Sequence, residues 1–145
     1  MSEVVGETLT HVSVAQGTLG ALLLARREET EIGLVSLNSE GNETRISYAE
    51  LADNAARLCA GIHESGLVAG DRVLLQLETA AEAVTAFWAC ALAGVVPIPL
   101  NTSISYQTLN PQTQKLIAAW AKFEAPKLLV SPHLIKPLLA LENLD

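Results

Sequence analysis

The stretch that most constrains the fold is residues 71–100, which predict a strand, a helix and a second strand in direct succession. Residues 72–77 form a short, branched, apolar run, as buried strands do. Residues 80–93 are apolar on nearly every side, so the helix they predict should be packed on several sides. Residues 95–100 supply the second strand. This succession requires a right-handed crossover and a parallel sheet.

Capping residues mark the limits of the predicted helix. Thr79 is followed three residues later by Glu82, which is the spacing of a capping box. Gly94 ends the helix, because glycine readily adopts the left-handed conformation found just past a helix. Pro97 and Pro99 lack the N–H that a central strand needs, so they indicate a strand near the edge of the sheet.

A membrane-spanning helix is the rival interpretation of this stretch. Residues 83–100 carry no charge, and their number is close to the length that crosses a bilayer. We reject it because Gly94 interrupts the run and two prolines break its second half. A membrane span is expected to have a cluster of Lys or Arg at one end, and neither end of this stretch has one.

The remaining residues extend the same alternating pattern. Residues 1–17 show no periodicity and are predicted to be loosely ordered. A hairpin is predicted from two short strands separated by turn residues, and Ser47 with Glu50 forms a second capping box. Pro132 could start a last helix, which Pro137 would kink or shorten. The predicted elements are a helix at 18–27, strands at 32–37 and 45–47, a helix at 48–65, a helix from 111 to before Pro126, and a strand at 127–131. The fold class is therefore α/β, a layered and mostly parallel sheet with helices on both faces.

Charge and cysteine content exclude several classes of function. The net charge of −7 argues against a nucleic-acid or anionic-membrane surface. The charge is uneven, with a net of −8 over residues 1–82 and +1 over residues 83–145. Cys59 and Cys90 lie among apolar neighbours and are expected to be small core residues. The first residues lack the basic and apolar regions of a signal peptide, which favours a cytoplasmic protein.

Catalytic motifs are missing from the sequence. No Walker-type phosphate loop, dinucleotide-binding glycine motif or nucleophile elbow occurs. His11, His63 and His133 lie far apart, and none has a metal-ligand partner at helical spacing. The sequence therefore assigns no catalytic, cofactor-binding or metal-binding residue.

Polar residues that follow the predicted strands form the best candidate cleft. Ligands of open parallel sheets bind beyond the carboxyl ends of the strands. Glu78 follows one strand, and Asn101, Thr102 and Ser103 follow the next. The simpler interpretation, polar loop residues without a ligand, is favoured because such loops are common.

Three short motifs occur in order between residues 46 and 101. The first is Ile46, Ser47, Tyr48, Glu50 and Leu51, the second is G-D-R-V at residues 70–73, and the third is Leu92, Ala93, Gly94, Pro99 and Leu100. In this order and spacing they resemble the opening of the adenylate-forming superfamily. That superfamily includes acyl-CoA synthetases, fatty-acyl-AMP ligases and the adenylation domains of nonribosomal peptide synthetases. The resemblance is greatest to ligases of polyketide and nonribosomal peptide assembly lines.

The resemblance implies a parent enzyme that activates a carboxylic acid with Mg-ATP. Such an enzyme passes the acyl group to coenzyme A or to a carrier-protein phosphopantetheine. The motifs that perform this chemistry lie later in the family and are not in this sequence. We therefore expect residues 18–145 to be a partial N-terminal subdomain of such a ligase, inactive alone, with ATP and magnesium needed by the full-length parent.

Two further expectations stay open at this point. A non-catalytic α/β module used for docking or regulation is the alternative function, because no catalytic set is visible. A sheet with an unpaired edge and apolar helix faces without cover would also favour self-association.

Overall fold

A computed structural model describes residues 17–37, 40–124 and 126–141 of the chain. The predicted loose segment 1–17 thus lies outside the described residues except for Gly17, and the prediction stays untested. The described elements follow the predicted order. They are α1 (Leu19–Leu24), β1 (Gly33–Leu37), β2 (Glu43–Ser47), α2 (Tyr48–Glu64), β3 (Arg72–Gln76), α3 (Ala80–Ala93), β4 (Val96–Pro99), α4 (Pro111–Lys122), β5 (Lys127–Val130), a 3-10 turn (Pro132–Leu134) and α5 (Ile135–Leu141).

The central sheet has three parallel strands in the order β4-β3-β5. Val73 and Leu75 of β3 face one side and pack with α2 and α3. Leu74 faces the other side and packs with Leu116 of α4 and Leu141 of α5. The alternation of these side chains along a strand places helices on both faces of the sheet. The predicted α/β fold class is confirmed.

Strands β1 and β2 form the predicted hairpin as a separate antiparallel pair, with Gly33 opposite Ser47 and Leu37 opposite Glu43. A Cβ at Gly33 would lie 2.0 Å from the carbonyl oxygen of Ile46, so this close approach requires glycine. Of the predicted turn, residues 38 and 39 lie outside the described residues.

Both predicted capping boxes are present. The Ser47 hydroxyl accepts from the N–H of Glu50 at 3.2 Å, and the Thr79 hydroxyl accepts from the N–H of Glu82 at 3.2 Å. Gly94 ends α3 in the left-handed conformation, with φ 70°. Helix α3 is therefore fixed at both ends by local sequence, and its small side chains pack closely against α2.

Strand β4 lies at an edge of the sheet, as its prolines predicted. The N–H groups of Val96 and Leu100 donate to carbonyls of Asp71 and Leu75 at 2.7 and 3.1 Å. Because backbone groups alternate in direction along a strand, Pro97 and Pro99 face away from β3. The missing N–H groups thus fall on the side where no described strand is paired.

The last part of the chain differs from prediction in detail. Pro132 begins a 3-10 turn, and α5 begins only at Ile135. Pro137 therefore falls in the first turn of α5, where an N–H has no helical partner to lose, and no kink is required. Other limits shift by a few residues, since α1 ends at Leu24 and β2 begins at Glu43.

Both cysteines lie where small core residues were expected. Cys90 is fully buried in α3, and Cys59 on α2 is partly buried in the same cluster. Burial raises the pKa of the Cys90 thiol to about 11, and the nearby Cys59 adds to this shift. At neutral pH the Cys90 thiol is therefore protonated and unreactive.

None of the helices in the described ranges combines the length and apolar character needed to cross a bilayer.

The cap of α3 gives a direct test of this fold. Replacing Thr79→Ala removes the acceptor for the N–H of Glu82 and should lower the free energy of unfolding by about 1 kcal/mol. Urea denaturation measures the change. Thr85→Ala, the same substitution inside the same helix, is the control and should change stability by less, since alanine has the higher helix propensity. Equal losses from both variants would contradict the capping role.

Candidate functional site

Polar residues gather at the carboxyl edge of the central sheet, on either side of the end of β3. The candidate residues fall into two separate hydrogen-bonded groups. Asn101 and Ser103 join a group between the ends of β3 and β4, and Glu78 joins a group between the ends of β3 and β5. Thr102 lies between Asn101 and Ser103 in the sequence. It is half-buried, and its side chain makes no hydrogen bond to a described residue.

The first group is organised by Gln76, the last residue of β3, whose side chain is buried. Its Nε2 donates to the carbonyl of Leu100 at 3.0 Å and lies 3.3 Å from that of Asn101. Its Oε1 accepts from the hydroxyl of Tyr106 at 2.8 Å, and that hydroxyl accepts from the N–H of Ser103 at 3.1 Å. A single buried amide thus ties the exit of β4 to the central strand.

The hydrogen bonds of the first group continue into the loop between β4 and α4. The Ser103 hydroxyl lies 2.6 Å from the carbonyl of Ser105 and 3.0 Å from Oδ1 of Asn110, the N-cap of α4. Asn110 Nδ2 also donates to the carbonyl of Ser105 at 2.8 Å. These bonds fix the loop and begin α4, so the polar atoms of Ser103 serve the fold.

The second group is organised by Ser131, which is buried just after β5. Its hydroxyl accepts from the N–H of Glu78 at 3.1 Å and donates to Oε2 of Glu82 at 2.9 Å. The same carboxylate oxygen accepts from the N–H and hydroxyl of Thr79. The His133 ring contacts the Glu78 carboxylate. The end of β5 is thereby joined to the start of α3.

These bonds shift the acidity of Glu82. Partial burial raises the pKa of its carboxyl, but the hydrogen bonds from Ser131, Thr79 and the Glu78 N–H together outweigh burial. The net result is a pKa below the ordinary value of 4.5. Glu82 is therefore ionised at neutral pH and acts as an acceptor, not as a proton donor.

The two polar groups at the sheet edge do not form a site that fits Mg-ATP. Within residues 17–37, 40–124 and 126–141, no three His, Cys, Asp or Glu side chains are placed to hold a metal ion. Glu82 already accepts several hydrogen bonds, and Glu78 is in contact with His133. Asn101 offers its carbonyl to Gln76, and neither group holds a lysine or arginine that could neutralise a phosphate.

Sequence reasoning missed the residues on which both groups depend. The position of Gln76 indicates a structural role, because a polar residue that ends a buried apolar strand must find hydrogen-bond partners. Ser131 ends the predicted strand 127–131, and its place in the sequence predicts no role for its hydroxyl. Tyr106 lies in a loop without periodicity, and nothing in its neighbours in the sequence indicated that it is buried.

The family model described as "AMP-binding enzyme" matches residues 24–118 of this chain. Microperfuranone synthase of Emericella nidulans is 35% identical over 128 residues, which are 84% of this chain and 13% of that protein. Salicyl-AMP ligase / salicyl-S-ArCP synthetase of Mycobacterium tuberculosis is 35% identical over 74 residues, 51% of this chain and 13% of that protein.

Solved structures of adenylation domains have the same fold. The adenylation domain of a keto acid-selecting NRPS module, bound to keto acyl adenylate, is 36% identical with a TM-score of 0.76, covering 86% of this chain and 22% of that one. McyG A-PCP complexed with phenylalanyl-adenylate has a TM-score of 0.80 at 28% identity, covering 86% of this chain and 20% of that one. The chain thus spans less than a quarter of these relatives, and its described part matches a subdomain of them. From the family match over residues 24–118, the chain belongs to the AMP-binding, adenylate-forming enzyme family.

Proposed function

We propose that this chain is the N-terminal scaffold subdomain of an ATP-dependent ligase that adenylates a carboxylic acid, and that it does not perform this reaction alone. The observation that carries the proposal is the use of the polar side chains at the carboxyl edge of the sheet. The side chain of Gln76 hydrogen-bonds to Tyr106 and to the carbonyl of Leu100, which joins β3 to the chain after β4. The side chain of Ser131 hydrogen-bonds to Glu82, which joins the end of β5 to α3. Their hydrogen-bonding atoms serve the fold instead of a ligand.

The family's chemistry supports the rest of the proposal. Carboxylate activation requires a cradle for the triphosphate and magnesium to neutralise its charge. The sequence has no glycine-rich phosphate loop. ATP, magnesium and the acid would therefore be bound by other parts of the parent ligase, which would pass the acyl group to coenzyme A or a carrier-protein phosphopantetheine.

A nonribosomal peptide or polyketide pathway is the proposed setting of the parent. Its support is the set of similar proteins, which includes an adenylation domain of a keto acid-selecting NRPS module at 36% identity. Pseudomonine synthase PmsE of Pseudomonas entomophila is 36% identical over 89 residues, 61% of this chain and 13% of that protein. Similarity also extends to 4-coumarate–CoA ligase 4 of Arabidopsis thaliana, so coenzyme A stays an equal candidate for the acceptor.

Acid-dependent ATP–pyrophosphate exchange tests the proposed inactivity. The purified chain, checked for folding by circular dichroism, is assayed with salicylate, a keto acid, phenylalanine and a fatty acid. We expect no exchange above the rate without protein, because no three His, Cys, Asp or Glu side chains among the described residues are placed to hold the magnesium ion that the reaction needs. An intact adenylation domain, assayed beside it with its own acid, is the positive control. Exchange that depends on the acid and follows the chain through a second purification would disprove the proposal.

The buried hydroxyl of Tyr106 should contribute to stability. Tyr106→Phe leaves Oε1 of Gln76 and the N–H of Ser103 without that partner, so the free energy of unfolding should fall by about 1–3 kcal/mol. Tyr48→Phe is the matched control, because the Tyr48 hydroxyl makes no hydrogen bond to a described residue. Its free energy of unfolding should change little. Chemical denaturation of both variants decides the point. If Tyr106→Phe left the free energy of unfolding unchanged, the scaffold role of the Gln76 group would be contradicted.

Glu82 should make stability depend on acid pH. Its pKa in the folded state is below 4.5, so its contribution is present above pH 4.5 and is lost as pH falls through the lower folded-state value. Glu82→Gln should therefore be less stable than the unaltered chain at pH 7, and the difference should shrink below pH 4.5. Glu64→Gln, at an exposed position on α2, is the control. Urea unfolding at several pH values measures both, and a difference that grows in acid contradicts the assignment.

A further inference from the structure

We draw no further inference here: the strongest candidate, the apolar groove between α4, β5 and α5 beside the β5 edge of the described sheet, carries nothing because nothing in the structure shows what covers that face.

Discussion

Strand β3 is the element on which the described structure depends, because it is paired on both sides and covered on both faces. Its residues Val73, Leu74 and Leu75 bury their side chains almost completely. A strand in that position has no water to satisfy its last polar side chain, so Gln76 must find partners inside the protein. It finds them in the exit of β4 and in Tyr106, and Ser131 joins the end of β5 to the carbonyl of Gln76. Burial of the strand and the hydrogen bonds at its end are thus parts of one constraint.

Much of this arrangement could be read from local sequence. The capping boxes at Ser47 and Thr79 are formed by residues three apart, so their geometry depends on little else. The edge position of β4 followed from Pro97 and Pro99, since proline cannot donate to a neighbouring strand. The parallel order followed from the alternation of strands and helices. The caps and the edge position depend on only a few residues each, the parallel order depends on the repeated alternation of elements, and the structure confirms all three.

What could not be read depends on contacts between distant residues. Tyr106 and Gln76 are far apart in sequence, and only the fold brings the hydroxyl to the amide. Glu78, Asn101 and Ser103 were candidates for one cleft because strand ends share an edge. The structure divides them between two groups, since β3 lies between β4 and β5. Pro137 was expected to disturb the last helix, but the 3-10 turn before it shifts the helix start so that proline is tolerated.

The difference between the edges of the sheet also gives the sheet an order of growth. Strands β3, β4 and β5 leave the ribosome in that sequence, and the proline-bearing strand can close one side of β3 before β5 exists. Until β5 is made, the other side of β3 is the exposed hydrogen-bonding edge of a very apolar strand. A nascent chain stalled between Pro99 and Lys127 would therefore be the form most prone to aggregate. Once β5 has paired, the edge of the described sheet moves outward to a strand that begins with a lysine.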